Sequence, residues 1–268
     1  MSVSRIELGS PRPTRRRRLG HRFDVTAHLV RTELATRHRG SLLGWLWALV
    51  PTLAQLVATY FLFTRVIPLD VPDYPVFLLV GILAWQWFTR SLGDGVGSLE
   101  QRRELALRPG FALELVPATS VLVALVDYLL ALPVLVVALA VTNGLQPESV
   151  LLPLLLAIQL VYCVGLVLAL APLQVFVRDV RQIVALLVTV GFWITPVFYG
   201  VRQVPDSFVW VYRLNPMAHL IGAQREILIE GTWPEPGPLL VVALVGLAFL
   251  GAGWLLFRRL RDSVPEHL

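Results

Sequence analysis

Few ionisable or amide side chains interrupt the long apolar stretches of this 268-residue chain, so each one is a candidate for chemistry. Such residues are costly inside a lipid bilayer, where they mark either a pathway or a paired structural site. Asp127 lies deep in one stretch, whereas Arg90 and Asp94 stand one helical turn apart in another and can pair. Gln55 and Gln159 lie in two further stretches. We expect Arg90 and Asp94 to pair, and for Asp127 a partner role and a pathway role are both open.

The sequence motifs of many enzyme classes are missing. The sequence has no G-x-x-x-x-G-K-[ST] loop for a nucleotide phosphate, no H-E-x-x-H zinc motif and no G-x-S-x-G nucleophile elbow. The five histidines are scattered, and the one cysteine, Cys163, lies inside an apolar stretch, where it suits packing. We therefore expect no catalytic residue, no metal site and no cofactor bound by this chain.

The elements that carry these residues have the length and composition of membrane spans. A spanning helix needs about 20 mainly apolar residues, because lipid offers no hydrogen-bond partner to the backbone. The chain is 56% hydrophobic and only 15% charged, whereas about a quarter of the residues of a soluble domain are charged. Six stretches qualify, at residues 42–65, 75–97, 115–142, 150–176, 183–200 and 238–257. The sequence predicts an all-α membrane protein with six transmembrane helices.

The distribution of arginine predicts the orientation of these helices. All 23 basic residues are arginine, and they concentrate before the first stretch, between the second and third, after the fourth and after the last. Because positive residues collect in short cytoplasmic loops, we expect both termini in the cytoplasm. The run Arg15–Arg18 suits contact with anionic lipid headgroups. We do not expect a chain this apolar to bind nucleic acid.

Two segments before and between the spans have helical patterns of their own. Residues 1–21 are expected to form a disordered basic tail, and residues 22–40 an amphipathic helix along the membrane interface that is too charged to span. The apolar residues near one face of that helix are Phe23, Val25, Leu29, Val30 and Leu34. The helix suits either a simple anchor or a surface for a cytoplasmic partner. For residues 98–109, the sequence predicts a short, charged cytoplasmic helix.

The segment before the last span is rich in aromatic residues and proline. Residues 201–236 predict short half-inserted helices on the outer side, which suit either an aromatic belt or an outer gate. Residues 258–268 predict a short cytoplasmic tail.

Several motifs resemble those of polysaccharide-export permeases of the ABC-2 type. Residues 31–51, RTELATRHRGSLLGWLWALVP, are similar to the family pattern R-[DE]-L-x-x-R-Y-[RK]-x-S-x-L-G-x-x-W-x-x-x-x-P, with His38 in place of the usual tyrosine. The residues that fit are Arg31, Glu33, Leu34, Arg37, Arg39, Ser41, Leu43, Gly44, Trp47 and Pro51. Residues 98–117 resemble the family's coupling-helix segment, with its Phe-Pro pair spread out. Residues 176–199 resemble its RD…W-x-T-P-x-x-Y segment, and residues 215–231 its N-P-[ML]…R…G stretch.

The resemblance implies a permease subunit that is not itself an enzyme. Such a subunit forms a homodimer and works with two copies of a separate ATPase subunit, which holds ATP and Mg²⁺. Its cargo is a polysaccharide linked to polyprenyl pyrophosphate, with O-antigen, teichoic acid and galactan all open. The implied location is the bacterial cytoplasmic membrane, among membrane lipids, with a six-span domain at residues 41–257.

The resemblance also implies roles for individual residues. Contact with the ATPase is expected for Arg31, Glu33, Glu100, Arg102, Arg103, Glu104, Arg178 and Asp179. The lipid pyrophosphate is expected to meet Arg37 and Arg39 at the cytoplasmic mouth, where cationic groups suit it. The expected channel lining is Trp45, Trp47, Tyr60, Trp85, Trp193 and Tyr199. Aromatic rings suit the faces of sugars, although belts and cores have the same composition.

Three other functions remain open at this point. An ABC-2 permease for drugs or small lipids would share the topology and the partner. A membrane-embedded polyprenyl-phosphate transferase needs clustered Asp or His at the membrane edge, and the candidates Asp127, Asp179 and His219 lie far apart in sequence. An ion channel or proton-coupled carrier is disfavoured by the few charges inside the spans.

Overall fold

The described residues fold into α-helices with short connections and contain no β-strand. The computed structural model describes residues 15–37, 50–66, 71–108, 110–142 and 144–268. The predicted site residues Arg39, Trp45 and Trp47 lie outside these ranges. The helices are α1 (Arg15–Arg37), α2 (Val50–Phe61), α3 (Tyr74–Val96), α4 (Ser98–Gln101), α5 (Arg103–Ala106), α6 (Leu115–Thr142), α7 (Leu152–Phe176), α8 (Asp179–Ile194), α9 (Val209–Leu214), α10 (Pro216–Arg225), α11 (Pro236–Leu260) and α12 (Val264–His267).

Short 3₁₀ and π-helical turns extend or join these helices. The 3₁₀ turns are Pro147–Leu151, Val201–Gln203 and Asp206–Phe208. The π-helical turns Leu62–Val66 and Glu226–Glu230 continue α2 and α10. Turns of the π type are rare and occur frequently at functional sites.

Four of the described helices are long and apolar enough to cross a membrane. They are α3, α6, α7 with the 3₁₀ turn before it, and α11. By contrast, α8 has 16 residues, or about 24 Å at the rise of an α-helix, against a hydrocarbon core of about 30 Å. The described part of α2 has 12 residues before its π-helical continuation. The structure thus supports a multi-pass helical membrane protein, and the count of six spans stays a prediction.

Three predicted boundaries differ from the structure. Helix α1 begins at Arg15, so residues 15–21, predicted as disordered, are helical. The predicted coupling helix at 98–109 is two short helices, α4 and α5, separated at Arg102. The predicted span 183–200 is α8, which begins four residues earlier and ends at Ile194, because Pro196 disfavours the helical conformation at the residue before it.

Helix α3 lies at the centre of the bundle. It packs against α2, α6, α7, α8 and α10, and its residues Leu78 and Ala84 have no exposed surface. A helix that is apolar on every side is stable only when neighbours or lipid cover it all round. The residues of the break after α8 and of α10 therefore take their position from a helix that packs on α3.

Helices α7 and α11 approach each other so closely that only glycine fits at their contact. A Cβ atom at Gly165 would lie 2.5 Å from the backbone nitrogen of Leu250, and one at Gly253 would lie 2.4 Å from the carbonyl oxygen of Gly165. Small residues at helix contacts are how membrane helices gain packing energy, because lipid gives them no hydrophobic drive to associate. This contact fixes the last span to the bundle.

We expect Gly165→Ala to destabilise the protein, because the added methyl group must push two backbones apart. Overpacking of this kind costs about 1–3 kcal/mol. The matched control is Gly251→Ala in α11, where a Cβ atom has open space around it. Thermal unfolding in detergent should show a lower midpoint for Gly165→Ala and an unchanged or higher one for Gly251→Ala. Equal midpoints for the two variants would contradict this account of the contact.

Candidate functional site

The chain breaks its helical path directly after α8, and the break leaves backbone carbonyls without helical partners. Thr195, which precedes Pro196, is extended at φ −77° and ψ 139°. The carbonyl groups of Pro196 and Val197 follow, and Val197 is fully buried. A buried carbonyl without a hydrogen-bond partner costs about 1–3 kcal/mol. The break therefore needs a donor from elsewhere in the fold.

Arg225, at the end of α10, supplies that donor. Its Nη1 donates to the Pro196 oxygen at 2.6 Å, and its Nη2 donates to the Val197 oxygen at 2.6 Å. Longer bonds of 3.3 and 3.4 Å run from Nη2 and Nε to the carbonyl oxygen of Phe77 in α3. We call this arrangement the arginine clamp, because one side chain joins three elements.

The clamp is buried and stacked as well as hydrogen-bonded. Arg225 is only 6% exposed, and its Cζ lies 3.4 Å from the centre of the Phe77 ring. A guanidinium group over an aromatic face gains a cation–π attraction that grows as water is excluded. Gly81 makes the room, since a Cβ atom there would lie 2.6 Å from both the Arg225 Nη2 and the Val197 oxygen.

Asn215 makes a second connection between the break and α10. Its side-chain oxygen accepts from the Met217 amide at 3.0 Å and caps the start of α10, where Pro216 occupies the first helical position. Its Nδ2 donates to the Thr195 hydroxyl at 2.8 Å. Both ends of α10 are therefore tied to the same three-residue break.

A cluster of aromatic rings forms around Phe198, the residue that follows the clamped carbonyl of Val197. The rings of Phe63 and Phe198 stack at 4.9 Å, and the Phe198 ring meets the Trp193 ring edge-on at 5.4 Å. The hydroxyl groups of Tyr199 and Tyr212 lie 2.6 Å apart. The rings of Phe63, Phe198, Tyr199 and Tyr212 border a groove of about 350 Å³ between the π-helical turn of α2 and the segment after α8. Stacked rings with hydroxyl groups at their edges form a surface that suits the faces of sugars.

The predicted channel-lining aromatics separate into two groups. Tyr60, Trp193 and Tyr199 lie at or beside this aromatic surface, with Tyr60 and Trp193 exposed. Trp85 is 6% exposed and packs between Phe88 and Phe192 in the core, and its place in the channel lining stays a prediction. Its ring is part of the support beneath the surface.

Inside the bundle, the rare polar residues pair across helices. Arg90 Nη1 lies 3.0 Å from Asp127 Oδ2, which gives Asp127 the role of an ion-pair partner. The pair of Arg90 with Asp94, one turn away in the same helix, stays a prediction, and the pair with Asp127 joins α3 to α6. Gln159 donates to the carbonyl oxygen of Ala84 at 2.9 Å and so joins α7 to α3.

At the opposite end of the bundle, α1 is tied to the predicted coupling segment. We call it the arginine-rich end, formed by α1, the α4–α5 segment and the start of α8. Arg102 Nη2 lies 2.9 Å from Glu33 Oε2, and Arg102 Nη1 donates to the carbonyl oxygen of Val116. Asp179 begins α8 at this end, and Arg181 in its first turn lies beside Gly97 before α4. The predicted coupling residues therefore come from three neighbouring segments.

These residues divide into internal and exposed positions. Glu33 and Arg102 form an ion pair with each other, and this pair joins α1 to the α4–α5 segment. The predicted coupling residues whose side chains are exposed are Arg31, Glu100, Arg103, Glu104, Arg178 and Asp179. Exposed charges of both signs on a rigid surface suit recognition of a protein partner. Arg37, predicted to meet pyrophosphate, is the last residue of α1.

The fold, with the arginine clamp at one end and the arginine-rich end at the other, is that of a multi-pass helical membrane protein. Comparison with known proteins gives its family. The family model described as ABC-2 type transporter matches residues 25–229. The chain therefore belongs to the ABC-2 type transporter family. That match includes the arginine clamp and, from residue 25 of α1 onward, the arginine-rich end.

Curated relatives cover nearly the whole chain. It is 35% identical over 245 residues to the O-antigen export system permease protein RfbA of Myxococcus xanthus, an alignment that covers 90% of this chain and 94% of the relative. Identity to the RfbA protein of Klebsiella pneumoniae is 28% over 253 residues, or 93% and 97% of the two chains. The polysialic acid transport protein KpsM of Escherichia coli is 25% identical over 242 residues, or 87% and 92%.

The sequence reasoning did not assign roles to Arg225, Gly81 or Asn215. Arg225 and Asn215 belong to the stretch that resembles the family's N-P-[ML]…R…G motif, yet the motif does not say what the arginine binds. One physical argument could have pointed to Arg225. An arginine in an apolar segment needs buried hydrogen-bond acceptors, and the break after α8 offers backbone carbonyl groups. Gly81 carried no signal, because its role depends on a contact between distant segments.

We expect Arg225→Lys to destabilise the protein by about 3 kcal/mol, because an ammonium group cannot reach both carbonyls in the fork geometry of a guanidinium and leaves one unsatisfied. The matched control is Arg213→Lys in the exposed part of the same segment, where a change within about 0.5 kcal/mol is expected. Unfolding by SDS titration in mixed micelles measures both. Similar small losses for both variants would show that the clamp does not stabilise the fold.

Proposed function

We propose that this chain is the transmembrane subunit of an ATP-driven exporter of a polysaccharide linked to polyprenyl pyrophosphate. The observation that carries the proposal is the near full-length similarity to proteins named as O-antigen export permeases and a polysialic acid transport protein. Full-length similarity matters because it includes both ends of the bundle and not the spans alone. The aromatic surface beside the clamp supports a sugar cargo.

The energy comes from a separate ATPase subunit that docks at the arginine-rich end. The sequence has no phosphate-binding loop. The exposed charges of α1, α4, α5 and the start of α8 suit contact with such a subunit. Arg102 would then pass movement of the α4–α5 segment to α1 through its ion pair with Glu33, and to α6 through its hydrogen bond to the Val116 carbonyl oxygen.

Two copies of the chain face each other through α2 and α8 and enclose the pathway. Both helices leave apolar faces uncovered by the rest of the protomer. The exposed residues on α8 are Ile183, Leu186, Leu187, Val190, Trp193 and Ile194, and those on α2 are Val50, Leu53, Val57, Tyr60 and Phe61. Because α8 is short for a lone span, a partner copy stabilises it better than lipid does.

The orientation follows from the arginine distribution. With six spans and both termini in the cytoplasm, the arginine-rich end faces the cytoplasm and the clamp lies on the outer side of the bacterial cytoplasmic membrane. The segment 201–236, with α9 and α10, then forms the outer gate. Arg37 and Arg39 meet the pyrophosphate at the cytoplasmic mouth, and the glycan slides past the exposed ring of Trp193 and the half-buried ring of Tyr199.

Cysteine cross-linking tests the dimer. In a Cys163→Ser background, cysteines placed in turn at positions 183, 186, 187 and 190 of α8 are expected to give covalent dimers on mild oxidation, with a helical dependence on position, because a two-fold axis brings equivalent residues together. The control is Leu244→Cys in α11, which is as exposed but belongs to a helix outside the proposed interface. Equal cross-linking at α8 and α11 would refute this interface.

Transport in proteoliposomes tests the function and the coupling together. With its ATPase partner, the wild-type protein should export labelled lipid-linked glycan when ATP is supplied. We expect Arg102→Glu to reduce export about fivefold, a loss of roughly 1 kcal/mol, because it sets two carboxylates against each other. ATP hydrolysis should persist, and the double exchange Glu33→Arg with Arg102→Glu should restore part of the export.

The control for this experiment is Arg259→Glu, an exposed charge at the end of α11 outside the proposed docking surface. It should export like the wild type. Efflux of hydrophobic drugs without export of glycan would refute the proposed cargo. Full export by Arg102→Glu would remove the Glu33–Arg102 pair from the mechanism while leaving the cargo assignment intact.

A further inference from the structure

A cavity of about 370 Å³ lies between α9, α10 and the beginning of α11. Its volume falls within the range of about 300–1,000 Å³ that is typical of small-molecule sites. It lies on the α11 side of α10, whereas the aromatic groove lies toward α2. A hydrogen bond of 2.9 Å between His219 Nε2 and the carbonyl oxygen of Arg213 fixes the corner between α9 and α10 at its wall.

Charges of opposite sign line this cavity and come from different elements. Arg213 belongs to α9, Glu226 begins the π-helical turn after α10, and Glu235 immediately precedes α11. No ion pair joins any of these three to another residue within the ranges that the structure describes. Burial first, and then the charges of Glu230 and Glu235, raise the pKa of Glu226 above its usual value. A cationic group in the cavity would relieve that repulsion.

The rest of the lining is apolar and continues into the membrane-facing surface. Pro238 and Leu239 in the first turn of α11 form part of the wall. The exposed apolar face of α11 begins at the next residue, with Leu240, Val241, Leu244 and Leu247. Trp210 and Trp233 are exposed in the flanking segments, and exposed tryptophan marks the level of the lipid headgroups. The cavity therefore opens where headgroups and the first methylene groups of lipid meet the protein.

We propose that this cavity binds the headgroup of a zwitterionic phospholipid that carries a primary amine. The amine donates to the carboxylates of Glu226 and Glu235, the phosphate meets the Arg213 guanidinium, and the acyl chains follow the exposed face of α11. A glycerol headgroup has no cationic group to offset the charges of the two glutamates, so only its phosphate charge would remain. A quaternary ammonium headgroup has no N–H group to donate. In the proposed topology the bound lipid belongs to the outer leaflet.

Such a lipid would brace the outer segment against the last span, because it contacts α9, α10 and α11 together. This role does not depend on which cargo the protein exports. Binding can be measured on the purified protein without its ATPase and without glycan. Failure of the lipid proposal and failure of the transport proposal are thus separate results.

The test is lipid titration of the full-length protein in non-ionic detergent, followed by native mass spectrometry. We expect phosphatidylethanolamine to bind about tenfold more tightly than phosphatidylglycerol or phosphatidylcholine. The double variant Glu226→Gln with Glu235→Gln should lose this preference. The control Glu230→Gln removes a carboxylate of the same π-helical turn that does not line the cavity, and it should keep the preference.

A second variant tests the space itself without changing any charge. Gly222 lines the cavity, and a Cβ atom there has no neighbour within 4 Å. Gly222→Leu should therefore fill the cavity, fold normally and lose binding of phosphatidylethanolamine about tenfold. Equal binding of the three lipids by the wild type, or an unchanged preference in Gly222→Leu, would overturn the proposal.

Discussion

The backbone carbonyl groups directly after α8 need hydrogen-bond donors, and the rest of this structure depends on that constraint. Inside a membrane, irregular backbone is tolerated only where protein supplies the missing hydrogen-bond partners. Arg225 supplies them to Pro196 and Val197 from α10, while its stack on Phe77 and the space at Gly81 place it against α3. The chain can therefore end one helix early, turn back through short helices and keep a folded bundle around a buried cation.

This constraint links the two ends of the molecule. Helix α8 begins beside the α4–α5 segment, where Arg181 lies next to Gly97, and ends at the clamp. It also leaves most of its surface uncovered by its own protomer. In the proposed exporter, a short rigid helix of this kind can carry movement from the ATPase side to the outer gate. The ion pair Arg90–Asp127 and the glycine contact of α7 with α11 hold the remaining helices still around it.

Hydropathy could predict the helical class and four of the spans, but not where α8 ends. The run after Ile194 still contains apolar residues such as Val197 and Phe198, so hydropathy extends the span and the break shows only in Pro196. The coupling segment was predicted at the right place as one helix, and the kink at Arg102 depends on bonds to Glu33 and Val116. Spacing within one helix could suggest the pair of Arg90 with Asp94, but it could not show the pair of Arg90 with Asp127, which comes from another helix. The bonds of Arg102 and the Arg90–Asp127 pair join different segments of the chain, whereas the end of α8 follows from the neighbouring Pro196.

Hydrogen–deuterium exchange of the protein in lipid nanodiscs tests the clamp most directly. If Arg225 holds the break and α10 as one unit, Arg225→Lys should raise amide exchange about tenfold in residues 197–200 and 217–230, while α7 keeps its protection. Unchanged exchange in those two segments would contradict the account, since the break would then be held by something other than the arginine.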